Sequence, residues 1–111
     1  MKIEEVFARR RFIMLDGAMG TQLQLRGLTT EQKPELAAFI MPDVLTAVHR
    51  DYARAGADIL LANTFGANPR KLKGTGYTVQ QVIEASIACA RTAAQETGAL
   101  VALDIGPIGE L

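Results

Sequence analysis

Two stretches of the chain repeat one pattern, in which a glycine is followed by an apolar run, polar residues and a second glycine. The stretches are AGADILLANTFG at 55–66 and TGALVALDIGPIG at 97–109, and their first glycines, Gly56 and Gly98, lie 42 residues apart. A third apolar run, FIML at 12–15, passes directly into Asp-Gly. Short apolar runs bounded by turn residues are typical of buried strands. The spacing of the repeats fits one strand–loop–helix–loop unit.

The segments between these runs carry the apolar spacing of helices. Apolar residues recur at steps of three and four over 42–56, which opens with a proline and closes with a glycine, and again over 78–97. Shorter helices are predicted over 3–10 and 21–27, whereas 28–41 gives no firm assignment. The resulting order is β-α-β-α-β, with strands that are apolar on both faces. This order predicts the α/β class with a parallel sheet.

Composition narrows the class of protein further. The chain has 111 residues, 49% of them hydrophobic, and a formal net charge of zero. These values predict one globular domain over 1–111 with no second domain, and they give no electrostatic reason for a nucleic-acid or anionic-membrane partner. No apolar run approaches the roughly 20 residues that span a bilayer, and the N-terminus lacks the apolar core of a signal peptide. A cytoplasmic location is expected.

Polar residues follow each predicted strand, and they are the candidate site residues. They are Asp16 with Gly17, Asn63 with Thr64, and Asp104. Ligands of parallel α/β proteins bind at the carboxyl ends of the strands. Two roles stay open for these side chains. Asp16 either holds an amine or accepts backbone N–H groups of its own turn. Asn63 and Thr64 either contribute to a site or have a structural role, in which they cap a helix or brace a neighbouring strand.

The remaining polar features of the sequence do not indicate a functional site. His49, the single histidine, lies in mid-helix and is interpreted as a surface or helix-packing residue. Cys89, the single cysteine, excludes an intramolecular disulfide and cannot form a thiolate metal site alone. The DGAMGT stretch at 16–21 lacks the spacings of phosphate-binding loops, so dinucleotide binding is disfavoured.

Three stretches resemble one protein family. LDGAMGTQLQ at 15–24, PDVLTAVHRDYARAGADILLANTFGAN at 42–68 and DIGPIGEL at 104–111 are similar to the opening of homocysteine S-methyltransferases. Within that family the resemblance is to the homocysteine-binding domain of cobalamin-dependent methionine synthases. It implies a (β/α)8 TIM barrel, of which the chain would form the first three βα units with an incomplete parallel sheet, since a complete barrel takes about 250 residues.

The resemblance also implies a chemistry. Three cysteines of the family hold a zinc ion that binds the thiolate of homocysteine, and the thiolate attacks a methyl group carried by cobalamin or another donor. Asp16 and Gly17 would hold the amino-acid end of homocysteine, and Asn63 and Thr64 would line its pocket. Asp104 stands where the family more often has a serine, so its role stays open.

The family's zinc cysteines lie in later strands, and no metal ligand or catalytic residue is assigned here. The expectation is therefore an N-terminal part of a methyltransferase that is inactive alone, with homocysteine as its small-molecule partner. Unpaired strand edges and an uncovered sheet face predict self-association. The alternative function is a non-catalytic α/β module that binds a small molecule or oligomerises.

Overall fold

The computed structural model of the chain describes residues 2–9 and 12–108. Within these ranges it contains five α-helices and two β-strands. They are α1 (Ile3–Arg9), α2 (Gly20–Leu25), α3 (Ala37–Ile40), α4 (Pro42–Arg54), β1 (Ile59–Leu61), α5 (Val79–Ala94) and β2 (Leu100–Ala102), with a 3-10 turn at Pro34–Leu36 before α3. None of the described helices is both long enough and apolar enough to cross a membrane.

The sheet consists of β1 and β2, which pair in parallel with Leu60 opposite Val101. Helix α5 connects the two strands. On the other edge of β1, Leu15 forms an isolated parallel bridge with Ile59, and the Asp16 N–H donates to the Ile59 carbonyl at 3.2 Å. The arrangement is mixed helix and strand with a parallel sheet, as the sequence predicts.

The predicted first strand over 12–15 is wrong as a regular strand, since the described chain makes only this single bridge there. Phe12, Met14 and Leu15 are all exposed. The described residues pair with this segment on one side only, and they do not cover its apolar side chains. The apolar character of 12–15 is therefore not sufficient to form a regular strand along β1.

The two long helices begin within one residue of the predicted positions, at Pro42 and Val79, and they end two to three residues before the predicted ends, at Arg54 and Ala94. Helix α5 is preceded by Thr78, whose side chain accepts a hydrogen bond from the Gln81 N–H, while the Gln81 side chain accepts one from the Thr78 N–H. This reciprocal pair satisfies two N–H groups that the first turn leaves free. The chain leaves α4 and α5 through Gly56 and Gly98, which have positive φ angles of 112° and 77°.

The core lies between α4, α5 and the strands. One buried cluster joins α2, α3 and α4, and it contains Leu23, Leu28, Ala37, Ala38, Leu45 and Val48. A second joins the ends of α4 and α5 to β1, and it contains Ala53, Leu60, Ala93 and Ala94. Of the large apolar side chains on α1, Val6 is buried, whereas Ile3 and Phe7 are exposed. His49 is fully buried, which agrees with a helix-packing role.

Candidate functional site

A cavity of about 400 Å³ lies at the carboxyl ends of the strands. Four of the five predicted site residues line it, namely Asp16, Gly17, Asn63 and Asp104. Thr64 does not line this cavity and lies beside a smaller one formed by the loops after β1 and β2. The predicted strand ends therefore meet at one edge of the sheet, as parallel strands require.

Asp16 has one occupied and one free carboxylate oxygen. Its Oδ2 accepts a hydrogen bond from the Leu61 N–H at 3.1 Å, which fixes the side chain against β1. Its Oδ1 is buried and has no hydrogen-bond partner among the described residues. A buried carboxylate oxygen without a partner carries a free-energy cost that a bound donor would remove. The Asp16 side chain thus braces β1 through one oxygen, and its other oxygen has no partner among the described residues.

The surroundings of Asp16 disfavour its charge. Burial raises the pKa of this carboxyl from its ordinary value of 3.8, and the negative charge of Asp104 raises it further. The Leu61 hydrogen bond opposes this by lowering the pKa, but with a smaller effect than burial. A cation placed in the cavity would relieve both the desolvation and the repulsion between the carboxylates.

Thr64 joins the loops that follow the two strands. Its hydroxyl accepts a hydrogen bond from the Asp104 N–H at 3.0 Å and donates one to the Asp104 carbonyl at 2.7 Å. Thr64 is buried, with 3% of its surface exposed, so these bonds are shielded from water. The hydroxyl therefore positions the backbone of Asp104.

Asn63 and Gly17 shape two further walls. The Asn63 side chain donates from Nδ2 to the Pro34 carbonyl at 2.7 Å, which ties the 3-10 turn to the end of β1. A Cβ on Gly17 would lie 3.1 Å from the ring of Tyr52, whose hydroxyl donates to the Ala18 carbonyl at 2.7 Å. Glycine therefore lets this loop lie close against α4.

Glu35 and Phe65 also line the cavity, although neither is among the predicted site residues. Glu35 comes from the segment 28–41, where no periodicity places side chains in space. Phe65 follows Thr64 directly and is half exposed, and Lys71 Nζ lies 5.3 Å from its ring centroid. The signal that could have found Phe65 is its position in the same strand-end loop as Asn63.

The described residues do not fit a metal centre. No group of three or more His, Cys, Asp or Glu side chains in 2–9 and 12–108 could hold an ion. Cys89 lies on α5, where its Sγ is 3.9 Å from the Pro42 carbonyl, and it does not line the cavity. The cavity wall has acidic side chains and, among the described residues, no basic one. The charge of this wall favours a cation over an anion.

A family model described as homocysteine S-methyltransferase matches residues 13–111. The chain is 38% identical to a methionine synthase of Mycobacterium tuberculosis over 80% of this chain and 8% of that protein. It is 31% identical to a homocysteine S-methyltransferase of Escherichia coli over 91% of this chain and 37% of that protein. The chain thus spans less than half of the length of each of these relatives.

A solved structure shows the same similarity in three dimensions. The homocysteine methyltransferase MmuM of Escherichia coli, in its metallated form, superposes with a TM-score of 0.84 at 28% sequence identity. The match covers 96% of this chain and 42% of that one. The described fold therefore corresponds to a part of that larger protein.

Proposed function

Because the chain belongs to the homocysteine S-methyltransferase family, we propose that it binds the amino-acid end of homocysteine, whose thiol accepts a methyl group to give methionine. Asp16 pairs with the substrate ammonium, and Gly17, Asn63 and Asp104 shape the cavity around it. Thr64 acts by holding the backbone of Asp104. The free Oδ1 of Asp16, buried in the cavity wall, is the observation that carries this proposal.

The proposal extends to the architecture of the whole protein. The 111 residues would form the first βα units of a (β/α)8 barrel whose remaining units close the sheet. Two observations support this: the parallel pairing of β1 with β2 through α5, and the bridge between Leu15 and Ile59 on the other edge of β1. Parallel order with helical crossovers is the repeating unit of such barrels.

Zinc activation of the thiol belongs to the same proposal, but no step of it is assigned to the described residues. They offer no metal-ligand group, so a zinc ion would need ligands from other residues, and cobalamin would need contacts beyond this cavity. When bound, zinc would keep the thiol ionised at neutral pH. We therefore propose that this chain binds substrate without catalysing transfer. A cytoplasmic location stays a prediction.

Titration of the isotope-labelled 111-residue chain with L-homocysteine, followed by NMR, tests the proposal. Millimolar affinity is within reach of this method, and the expected result is shifts at Asp16, Gly17 and Asn63. The titration is repeated with zinc, which should leave the affinity unchanged. A lack of any shift at the cavity would contradict substrate binding, and zinc-dependent binding would contradict the absence of a metal site.

A second candidate function, self-association, is favoured by a separate observation. Large apolar side chains on the segments 12–15 and 103–105 are exposed, namely Phe12, Met14, Leu15, Leu103 and Ile105. The formal net charge of zero gives two copies no long-range repulsion. Sedimentation equilibrium should therefore give a mass above that of one chain, and Ile105→Asp should lower it. A monomer at every concentration would contradict this function.

A further inference from the structure

Glu35 is an acidic residue of the cavity wall whose role remains to be assigned. It lies in the 3-10 turn Pro34–Leu36 and lines the same cavity as Asp16. Its carboxylate occupies the position that a Cβ on Gly66 would take. The glycine at 66 therefore makes room for the Glu35 carboxylate at the end of β1.

The backbone on both sides of Glu35 is held in place. The Pro34 carbonyl accepts the Asn63 side-chain hydrogen bond at 2.7 Å. Lys33 Nζ donates to the Lys71 carbonyl at 2.7 Å, and the Leu36 N–H donates to the Lys33 carbonyl at 3.0 Å. A side chain carried on a fixed backbone contacts a ligand at a lower entropic cost than one carried on a mobile loop.

The Glu35 carboxylate is available to a ligand. Within residues 2–9 and 12–108 it makes no hydrogen bond or ion pair, whereas one oxygen of Asp16 is already used by the Leu61 N–H. An ammonium group has three N–H donors. Asp16 Oδ1 can accept one of them, so the site needs further acceptors in its wall.

We propose that Glu35 is a second substrate-contacting carboxylate, which accepts a hydrogen bond from the ammonium group that Asp16 binds. This inference rests on the proposed function and deepens it, because it explains how the site distinguishes an amino acid from the same molecule without its amino group. Asp16 binds the ammonium from the side of β1, and Glu35 binds it from the 3-10 turn. Charge-assisted contacts of this kind are the stronger class of hydrogen bond.

The test compares wild type, Glu35→Gln and Glu84→Gln by NMR titration. Glu84→Gln is the control because it removes one negative charge from an exposed position on α5 outside the cavity. The probes are L-homocysteine, 4-mercaptobutanoate, which lacks the amino group, and n-butylammonium, which has only the amine. Glu35→Gln should weaken binding of both amines by about 10-fold or more, with no loss for 4-mercaptobutanoate. Glu84→Gln should match wild type.

The outcomes separate this inference from the proposed function. Unchanged homocysteine binding by Glu35→Gln, or an equal loss for all three probes, would overturn the role of Glu35 and leave the proposed function standing. Binding of n-butylammonium but not of homocysteine by wild type, weakened by Glu35→Gln, would overturn the proposed function alone. Failure of wild type to bind either amine would overturn both.

Discussion

The hydroxyl of Thr64 is hydrogen bonded to both backbone groups of Asp104, accepting from the N–H at 3.0 Å and donating to the carbonyl at 2.7 Å. These two residues lie 40 positions apart in the sequence. A third bond between the same loops runs from the Gly106 N–H to the Phe65 carbonyl at 3.2 Å. The edge of the cavity is therefore held by contacts between loops, and Thr64 contributes two of them.

We expect Thr64→Val to lower the free energy of unfolding by about 1–3 kcal/mol, because valine keeps the shape but leaves the backbone groups of Asp104 without their partner. Urea denaturation measures this change. Thr64→Ser is the control, since it keeps the hydroxyl and should restore most of the stability. Equal stability of the valine variant and wild type would contradict the bracing role.

Asp16→Asn should weaken homocysteine binding by about 1–3 kcal/mol, the typical loss for a charge-assisted hydrogen bond. The amide oxygen can still accept from the Leu61 N–H, so the brace to β1 is kept. The change therefore separates binding from folding. Calorimetric or NMR titration measures the affinity, and an unchanged affinity with a lower melting temperature would assign Asp16 a structural role.

The same substitution should not reduce stability at neutral pH. Burial raises the pKa of Asp16 above 3.8, so the folded chain holds this proton more tightly than the unfolded chain. Its contribution to stability is fully present below pH 3.8 and is lost as the pH rises through the raised pKa. Above the raised pKa the ionised carboxylate is a cost to folding, and the neutral asparagine avoids that cost. Thermal melts of wild type and Asp16→Asn at pH 7 test this, and a lower melting temperature of the variant would contradict it.

Much of this site could be predicted because parallel strands end at one edge of a sheet. Asp16, Asn63 and Asp104 each follow an apolar run, and the cavity contains all three. The helices α4 and α5 were predicted from the spacing of their apolar residues at steps of three and four and from the residues at their ends, which are local properties of the sequence. The family assignment, made on residues such as those around Asp16, is confirmed by the match over 13–111.

Other features depend on contacts that the sequence does not display. Thr64 does not line the cavity, and its hydroxyl is hydrogen bonded to the backbone of Asp104, a contact between distant loops. Glu35 reaches the cavity through the bond between Asn63 and the Pro34 carbonyl. The run at 12–15 forms one bridge in place of a strand because pairing needs a neighbour as well as apolar character.

Gly106→Ala should destabilise the fold by about 1–3 kcal/mol, the usual cost of overpacking. A Cβ at this position would lie 2.6 Å from the Phe65 carbonyl oxygen, a backbone atom that cannot move without breaking the contact between the loops. Gly66→Ala should cost less stability, since the atoms it displaces are the flexible end of Glu35. Gly20→Ala is the control because nothing lies within 4 Å of its added Cβ. Equal melting temperatures for Gly106→Ala and Gly20→Ala would contradict this.

Stability should rise with pH through the range in which histidine ordinarily titrates, because of His49. This residue is fully buried between packed helices, and neither ring nitrogen has a hydrogen-bond partner among the described residues. Burial lowers its pKa from 6.5 to about 4, so the unfolded chain binds the proton more tightly. The contribution of neutral His49 is present above pH 6.5 and is lost as the pH falls toward about 4.

The shift in the His49 pKa from 6.5 to about 4 corresponds to a loss of up to about 3 kcal/mol over this range. Urea denaturation of wild type between these pH values measures the loss, and His49→Leu should remove this part of the pH dependence. Ser86→Ala is the control. Ser86 is also fully buried, and its hydroxyl has no hydrogen-bond partner among the described residues, but it does not titrate in this range. The free energy of unfolding of Ser86→Ala should change with pH as that of wild type does. If that of His49→Leu also changes with pH in this way, a group other than His49 causes the pH dependence.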